Sequence, residues 1–126
     1  MTQKKKIPVS LRTEQDEQQY RRQKQAGSTK PLSEEPYISE WVHWAIIDNS
    51  YPYSIAHKTH HMLIPKRVVT EENLSPEEEQ ELKRILIEIG EQYDCRIINF
   101  SHIQSVLNHF HIHLLVYKDS RDEMKL

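Results

Sequence analysis

The amino-acid sequence predicts a single α+β domain in which most strands of the sheet run antiparallel. Three observations lead to this prediction: four short segments rich in β-branched and aromatic residues, one amphipathic segment with a complete helix start, and their order along the chain, β-β-α-β-β. The 126 residues suit one domain. We place it at residues 36–126, behind a basic polar leader at residues 1–35 that is helical or disordered.

The four predicted strands lie in two pairs, one on each side of the helix. Residues 41–47 are β-branched and aromatic, and turn-forming residues end that strand. Residues 60–64 form the second strand, which Pro65 stops because proline lacks the N–H that a strand ladder needs. After the helix, residues 96–100 and 109–117 are the third and fourth predicted strands.

The segment between these two pairs has the features of a helix that runs from Pro76 to about Tyr93. Ser75 is a suitable N-cap, Pro76 takes the first helical position, and Glu78 completes a capping box. Five apolar side chains recur at spacings of three and four and share one face of this helix: Leu82, Ile85, Leu86, Ile89 and Tyr93. The leader carries a second predicted helix, a solvated one, at residues 13–25.

Composition and charge narrow the classes of partner. Seventeen Lys and Arg residues stand against nineteen Asp and Glu residues, a net charge of -2, so no nucleic acid polymer is expected to bind. The leader is basic, and we interpret it as a solvated tail. No apolar run approaches about 18 residues, and no secretory signal is evident, so no membrane partner is expected. The single cysteine, Cys95, cannot form an internal disulfide, which suits a reducing, cytoplasmic location.

Three histidines stand at every second position near the C-terminus: His109, His111 and His113. Side chains alternate between the faces of a strand, so the three imidazoles are expected on one face and the intervening apolar side chains in the core. Imidazole is the side chain whose unperturbed pKa lies near neutrality, and a row of three is costly unless the protein uses it. The row therefore predicts a chemical role.

The residues alone leave three interpretations of this row open. The first is a surface strand with ordinary polar alternation. The second is a metal site, in which two of these nitrogens bind zinc at about 2 Å and a third ligand comes from His60, His61 or His102. The third is nucleophilic catalysis, in which the middle imidazole attacks a phosphorus centre and its neighbours hold its tautomer and contact phosphate oxygens.

The run His-Phe-His-Ile-His-Leu-Leu at residues 109–115 resembles the His-φ-His-φ-His-φ-φ signature of the histidine triad (HIT) superfamily, where φ is apolar. Further segments are similar to that family in the same order. Residues 46–53 resemble its Asn-x-Tyr-Pro-Tyr segment, and residues 60–67 resemble its His-x-φ-φ-φ-Pro-Lys-Arg strand. Residues 75–78 are similar to the start of its helix, and residues 97–99 to a strand ending in Asn.

The resemblance implies a HIT-like fold: a five-stranded, mostly antiparallel sheet with one main helix, in a homodimer. It implies a nucleotide phosphohydrolase or nucleotidyltransferase that cleaves a nucleoside phosphate derivative at the α-phosphate through a nucleotidyl-histidine intermediate and requires no cofactor. His111 would be the nucleophile, and His109 and His113 would orient it and contact phosphate. The implied nucleotide and phosphate contacts are His60, Asn49, Asp48, Asn99, Ser105 and Asn108.

The sequence departs from the family pattern in two places. Val68 stands where the family often has a histidine, and one extra residue precedes the triad, which displaces Ser105 and brings Asn108 next to His109. Few glycines are present, so a glycine-rich phosphate cradle is not evident. These departures keep two alternatives open: a nucleotide-binding HIT module with little catalysis, and a histidine metal site.

Overall fold

A computed structural model describes residues 11–26, 31–100 and 108–118 of the chain. The two α-helices are α1 (Glu14–Gln25) and α2 (Pro76–Glu88), and short 3-10 turns occur at Leu32–Glu34 and Glu71–Asn73. The five strands are β1 (Tyr37–Glu40), β2 (Trp44–Asp48), β3 (His57–Pro65), β4 (Cys95–Ile97) and β5 (Ile112–Tyr117). None of the helices in these described ranges is long and apolar enough to cross a bilayer.

The five strands form one antiparallel sheet in the order β1-β2-β3-β5-β4. The nine-residue strand β3 lies at its centre, between β2 and β5. The prediction of an α+β fold with an antiparallel sheet is confirmed. The sequence pattern predicted four of the five strands and not β1, because all four residues of β1 are exposed and it carries no alternating apolar pattern.

Three predicted elements are shorter in the structure than the patterns indicated. Strand β2 begins at Trp44 because Trp41 and its followers form the turn that joins it to β1, where the Trp41 N–H donates to the Trp44 carbonyl at 2.8 Å. Strand β4 ends at Ile97. Helix α2 starts with the predicted capping box at Ser75 and ends at Glu88, five residues before the predicted end.

The fourth predicted strand was expected to start at His109, and the structure starts β5 at Ile112. The backbone before Ile112 pairs differently: the Phe110 N–H donates to the Val69 carbonyl at 2.8 Å instead of to a strand neighbour. His109 and His111 therefore precede the regular strand, whereas His113 lies within it. The triad spans the junction between a segment held by the loop before α2 and the sheet itself.

Helix α2 packs on one face of the sheet, and His113 of the triad lies on the other. The main core lies between α2 and the sheet and consists of Trp44, Ile46, Leu63, Ile85, Ile89, Phe110, Ile112 and Leu114. A second buried cluster, Leu32, Ile47, Met62 and Ile64, lies on the opposite face. Met62 pairs with His113 across β3 and β5, so His113 shares this second face. The prediction that Phe110, Ile112 and Leu114 enter the core is confirmed.

Candidate active site

The segment before β5 holds His109 at a fixed orientation. Phe110 anchors it in the core, where its ring meets Trp44 edge-on with centroids 6.2 Å apart. The His109 ring lies 3% exposed, with Nε2 2.7 Å from the Pro65 carbonyl oxygen. A carbonyl oxygen can only accept, so Nε2 of His109 carries the proton and donates. His109 thus closes the gap between the end of β3 and the start of β5.

His111 is oriented by the backbone of the same segment. Its Nδ1 lies 3.0 Å from the His109 carbonyl oxygen, so Nδ1 donates and Nε2 keeps a free lone pair. Burial lowers the pKa of His111, although the hydrogen bond to His109 opposes this effect. The imidazole is therefore neutral near pH 7. A neutral ring with a fixed Nδ1–H presents Nε2 as a base or nucleophile.

His60 and His113 form a hydrogen-bonded pair whose tautomers are set by the backbone. The Tyr53 N–H donates to Nδ1 of His60 at 2.9 Å, which leaves the proton of neutral His60 on Nε2. That Nε2 lies 2.7 Å from Nδ1 of His113 and donates to it. The proton of His113 is then on its Nε2. The Tyr53 N–H thereby makes Nε2 of His113 a hydrogen-bond donor, whereas Nε2 of His111 is an acceptor.

Burial makes both members of this pair neutral. His60 and His113 are 3% and 4% exposed, and loss of hydration lowers the pKa of each far below its usual value. The rings of His111 and His113 are 5.1 Å apart and nearly perpendicular. The site therefore places an imidazole with a free Nε2 lone pair beside an imidazole with an Nε2–H. That pairing suits attack by one ring on a centre whose oxygens the other ring binds.

Tyr53 also belongs to this cluster, although the sequence did not identify it as a candidate site residue. Its ring packs on His60 and His113, with centroid distances of 4.4 and 4.8 Å. Its hydroxyl oxygen accepts from Nδ2 of Asn99 at 3.0 Å and lies 3.3 Å from Nε2 of His113. Burial raises the pKa of the Tyr53 hydroxyl, which keeps it protonated. The signal that marks it is its place at the end of the run Asn49-Ser-Tyr-Pro-Tyr53.

The remaining predicted contacts divide by position. Asn49 and Asn99 join the cluster: Nδ2 of Asn49 lies 3.2 Å from Nε2 of His60, and Nδ2 of Asn99 lies 3.4 Å from Nε2 of His113. Asp48 is exposed at the end of β2 and accepts from the Asn49 N–H at 2.9 Å. Asn108 is exposed. Ser105 lies outside the described residues, as does His102.

His61 is separated from the site by the alternation of β3. Its Nδ1 lies 2.7 Å from the Tyr93 hydroxyl, beside the end of helix α2. His61 and His60 therefore lie on opposite faces of β3. It follows that His61 cannot be the third ligand of a metal bound by the triad.

Metal binding by His60 or His113 competes with hydrogen bonds that already use the lone pairs of these two rings. Within residues 11–26, 31–100 and 108–118, no group of three or more His, Cys, Asp or Glu side chains is arranged to hold a metal ion. Nδ1 of His60 and Nδ1 of His113 each accept a hydrogen bond. A metal bound at either nitrogen would have to break that bond.

Comparisons with known proteins bear on the fold alone. No family model matches the chain, and no curated protein matches it. Seven chains of solved structures match it. One of them, described as the crystal structure of HTC1, superposes with a TM-score of 0.52 at 15% sequence identity, and the match covers 87% of this chain and 77% of that chain. At this identity the likeness concerns the arrangement of helices and strands.

Proposed function

We propose that the chain is a nucleotide phosphohydrolase or nucleotidyltransferase of the histidine triad type, with a HIT-like fold. It cleaves a nucleoside phosphate derivative at the α-phosphate through a nucleotidyl-histidine intermediate and requires no cofactor. The observation that carries this proposal is the tautomer of His111: the hydrogen bond from Nδ1 to the His109 carbonyl leaves Nε2 as the free nucleophile. The seven-residue HIT signature supplies the substrate class.

The first chemical step forms a bond between His111 and the substrate. The Nε2 lone pair attacks the α-phosphorus in line, and the leaving group departs with the electron pair of the bond that breaks. The imidazole ring gains positive charge in this step. Its Nδ1–H already points at the His109 carbonyl oxygen, at 3.0 Å, and this hydrogen bond strengthens as the charge develops.

His113 binds phosphate oxygen in the transition state without giving up its proton. The Nε2–H of His113 is a fixed donor because its Nδ1 accepts from His60, and a phosphate oxygen would replace the Tyr53 hydroxyl oxygen, 3.3 Å away, as its acceptor. His60 in turn accepts from a peptide N–H, which cannot supply a proton, so no proton can be relayed to His113 from behind. The pair therefore provides preorganised hydrogen bonding to the developing charge.

The second step releases the nucleotide. Water attacks the nucleotidyl-histidine, its oxygen bonds to phosphorus, and His111 leaves as neutral imidazole. One water molecule is consumed, and the proton that it loses passes to the group released in the first step or to solvent. If an alcohol or phosphate takes the place of water, the same intermediate gives nucleotidyl transfer. The products of hydrolysis are a nucleoside monophosphate and the free leaving group.

A second candidate function is a nucleotide-binding module that turns over poorly. The observation that favours it is Val68, which is 55% exposed at the position where the family often has a histidine. A valine offers no donor or acceptor to a leaving group. In that case the pocket keeps its affinity for the nucleotide while the chemical step is slow.

The test is release of AMP from adenosine 5′-phosphoramidate and from diadenosine polyphosphates, with and without a chelator. The compared proteins are the wild type, His111→Ala, and His61→Ala as a control that removes an imidazole from the other face of the same sheet. Turnover that resists the chelator, survives His61→Ala and is lost in His111→Ala supports the enzyme. Nucleotide binding without turnover by the wild type supports the module, and turnover that the chelator abolishes supports a metal site.

A further inference from the structure

The end of the leader that the structure describes is bonded to the segment that carries Tyr53. The Ile55 N–H donates to the Leu11 carbonyl at 3.0 Å, and the Thr13 N–H donates to the Ser54 hydroxyl at 3.3 Å. The Ser54 hydroxyl also donates to the carboxylate of Asp16, in the first turn of α1. These bonds join residues about forty positions apart. The leader is therefore attached to the domain at this point, beside the candidate site.

Arg12 lies at the centre of this attachment. Its Nε donates to the Tyr51 carbonyl at 2.7 Å, and one of its terminal nitrogens pairs with Glu17 at 3.1 Å. The guanidinium carbon lies 4.4 Å from the ring centroid of Tyr20 and 5.2 Å from that of Tyr53. Only 9% of the Arg12 side chain is exposed. A buried guanidinium that packs over an aromatic ring restricts the movement of that ring.

The contact matters because Tyr53 touches both members of the His60–His113 pair. Its ring packs on His60 and His113, and its backbone N–H sets the tautomer of His60. Arg12 restrains the same residue twice, at the ring and through the carbonyl of Tyr51 two positions earlier. A shift of the residue 51–55 segment would therefore alter the donor that orients His60, and through it His113.

We propose that residues 11–26 of the leader are part of the catalytic unit and that Arg12 is a positioning residue, which acts through Tyr53 on the His60–His113 pair. This proposal rests on the proposed function for its effect on turnover, and on the geometry alone for its effect on the histidine tautomers. It assigns a role to a leader that the sequence patterns present as a solvated tail. A misplacement of about 1 Å at such a site costs up to about a hundredfold in rate.

The experiment compares Arg12→Gln with Arg21→Gln in the full chain. Arg21 is a matched control because it is also an arginine that pairs with Glu17, at 3.4 Å, but it lies within α1 and its side chain is 48% exposed. We expect Arg12→Gln to lower kcat for AMP release by about ten- to a hundredfold, and Arg21→Gln to change it less than about twofold. Thermal unfolding confirms that both variants are folded. If Arg12→Gln does not fold, Arg12→Lys and Arg21→Lys take their places, because lysine keeps the charge and loses the planar group.

A second readout does not depend on activity. Nitrogen-15 spectra of labelled histidine side chains report the tautomer of His113 directly. We expect a single Nε2–H form in the wild type and in Arg21→Gln, and a mixture of tautomers in Arg12→Gln. Identical His113 signals in the two folded variants, with equal turnover where turnover exists, would overturn the role of Arg12. Absence of turnover in the wild type would instead contradict the proposed function, and the spectra alone would then decide the role of Arg12.

Discussion

Replacing His60 by alanine tests whether the hydrogen bonds from the Tyr53 N–H to His60 and from His60 to His113 fix the tautomer of His113. His60 is 3% exposed, and its ring accepts from the Tyr53 N–H at 2.9 Å and donates to Nδ1 of His113 at 2.7 Å. The substitution leaves a buried donor and a buried acceptor without these partners, each at a cost of about 1–3 kcal/mol. We therefore expect the free energy of unfolding to fall by about 2–6 kcal/mol. A small domain with roughly 10 kcal/mol of stability, the middle of the usual range, remains folded after such a loss.

The matched control for this variant is His61→Ala, on the neighbouring position of the same strand. His61 is partly buried and makes its contact with Tyr93 on the other face of the sheet, so its loss should cost about 1 kcal/mol. Urea denaturation measures both variants, and nitrogen-15 spectra follow the His113 ring. If His60→Ala were no less stable than His61→Ala, and His113 kept its proton on Nε2, the hydrogen bond from His60 would not determine the tautomer of His113.

Two further predictions concern protonation and the tyrosine of the site. Burial lowers the pKa of His60 to about 3 and also lowers the pKa values of His111 and His113. Below about pH 6.5 the unfolded chain therefore binds more protons than the folded chain, and stability falls as the pH falls. Between pH 7 and pH 5 we expect a loss of about 2 kcal/mol from His60 alone in urea denaturation, and constant stability across that interval would contradict neutral buried imidazoles. Tyr53→Phe keeps the ring packing and removes the oxygen that accepts from Asn99. We expect a loss of about 1 kcal/mol of stability and a several-fold drop in kcat. An unchanged kcat would show that the Tyr53 hydroxyl takes no part in the reaction.

The sequence predicted the core side of the sheet better than its edges. Helix α2 and strands β2, β3 and β5 carry apolar side chains at regular spacings because they bury them, and periodicity reports burial. Strand β1 buries none of its residues, so only its pairing with β2 defines it. That pairing depends on the neighbouring strand and leaves no mark in the local pattern.

The candidate site was predictable as a set of residue types and only partly as an arrangement. Alternation at residues 109–113 predicted the imidazoles opposite the main core, and the structure shows this for His113, which pairs with Met62 on the face away from helix α2. The tautomers were not predictable, because they depend on the Pro65 and His109 carbonyls and on the Tyr53 N–H, which only the fold brings to the rings. The contact of Arg12 with Tyr53 was also hidden, since it joins segments that are 41 positions apart in the numbering.

The most direct test of the central claim is to trap the covalent intermediate. Adenosine 5′-phosphoramidate and excess enzyme are mixed, quenched within a single turnover under conditions that preserve phosphorus–nitrogen bonds, and digested for mass spectrometry. We expect AMP attached to the imidazole of His111 in the wild type and in His61→Ala, and no adduct in His111→Ala. AMP released at the wild-type rate by His111→Ala, or an adduct located on His109 or His113 instead, would contradict the assignment of His111 as the nucleophile.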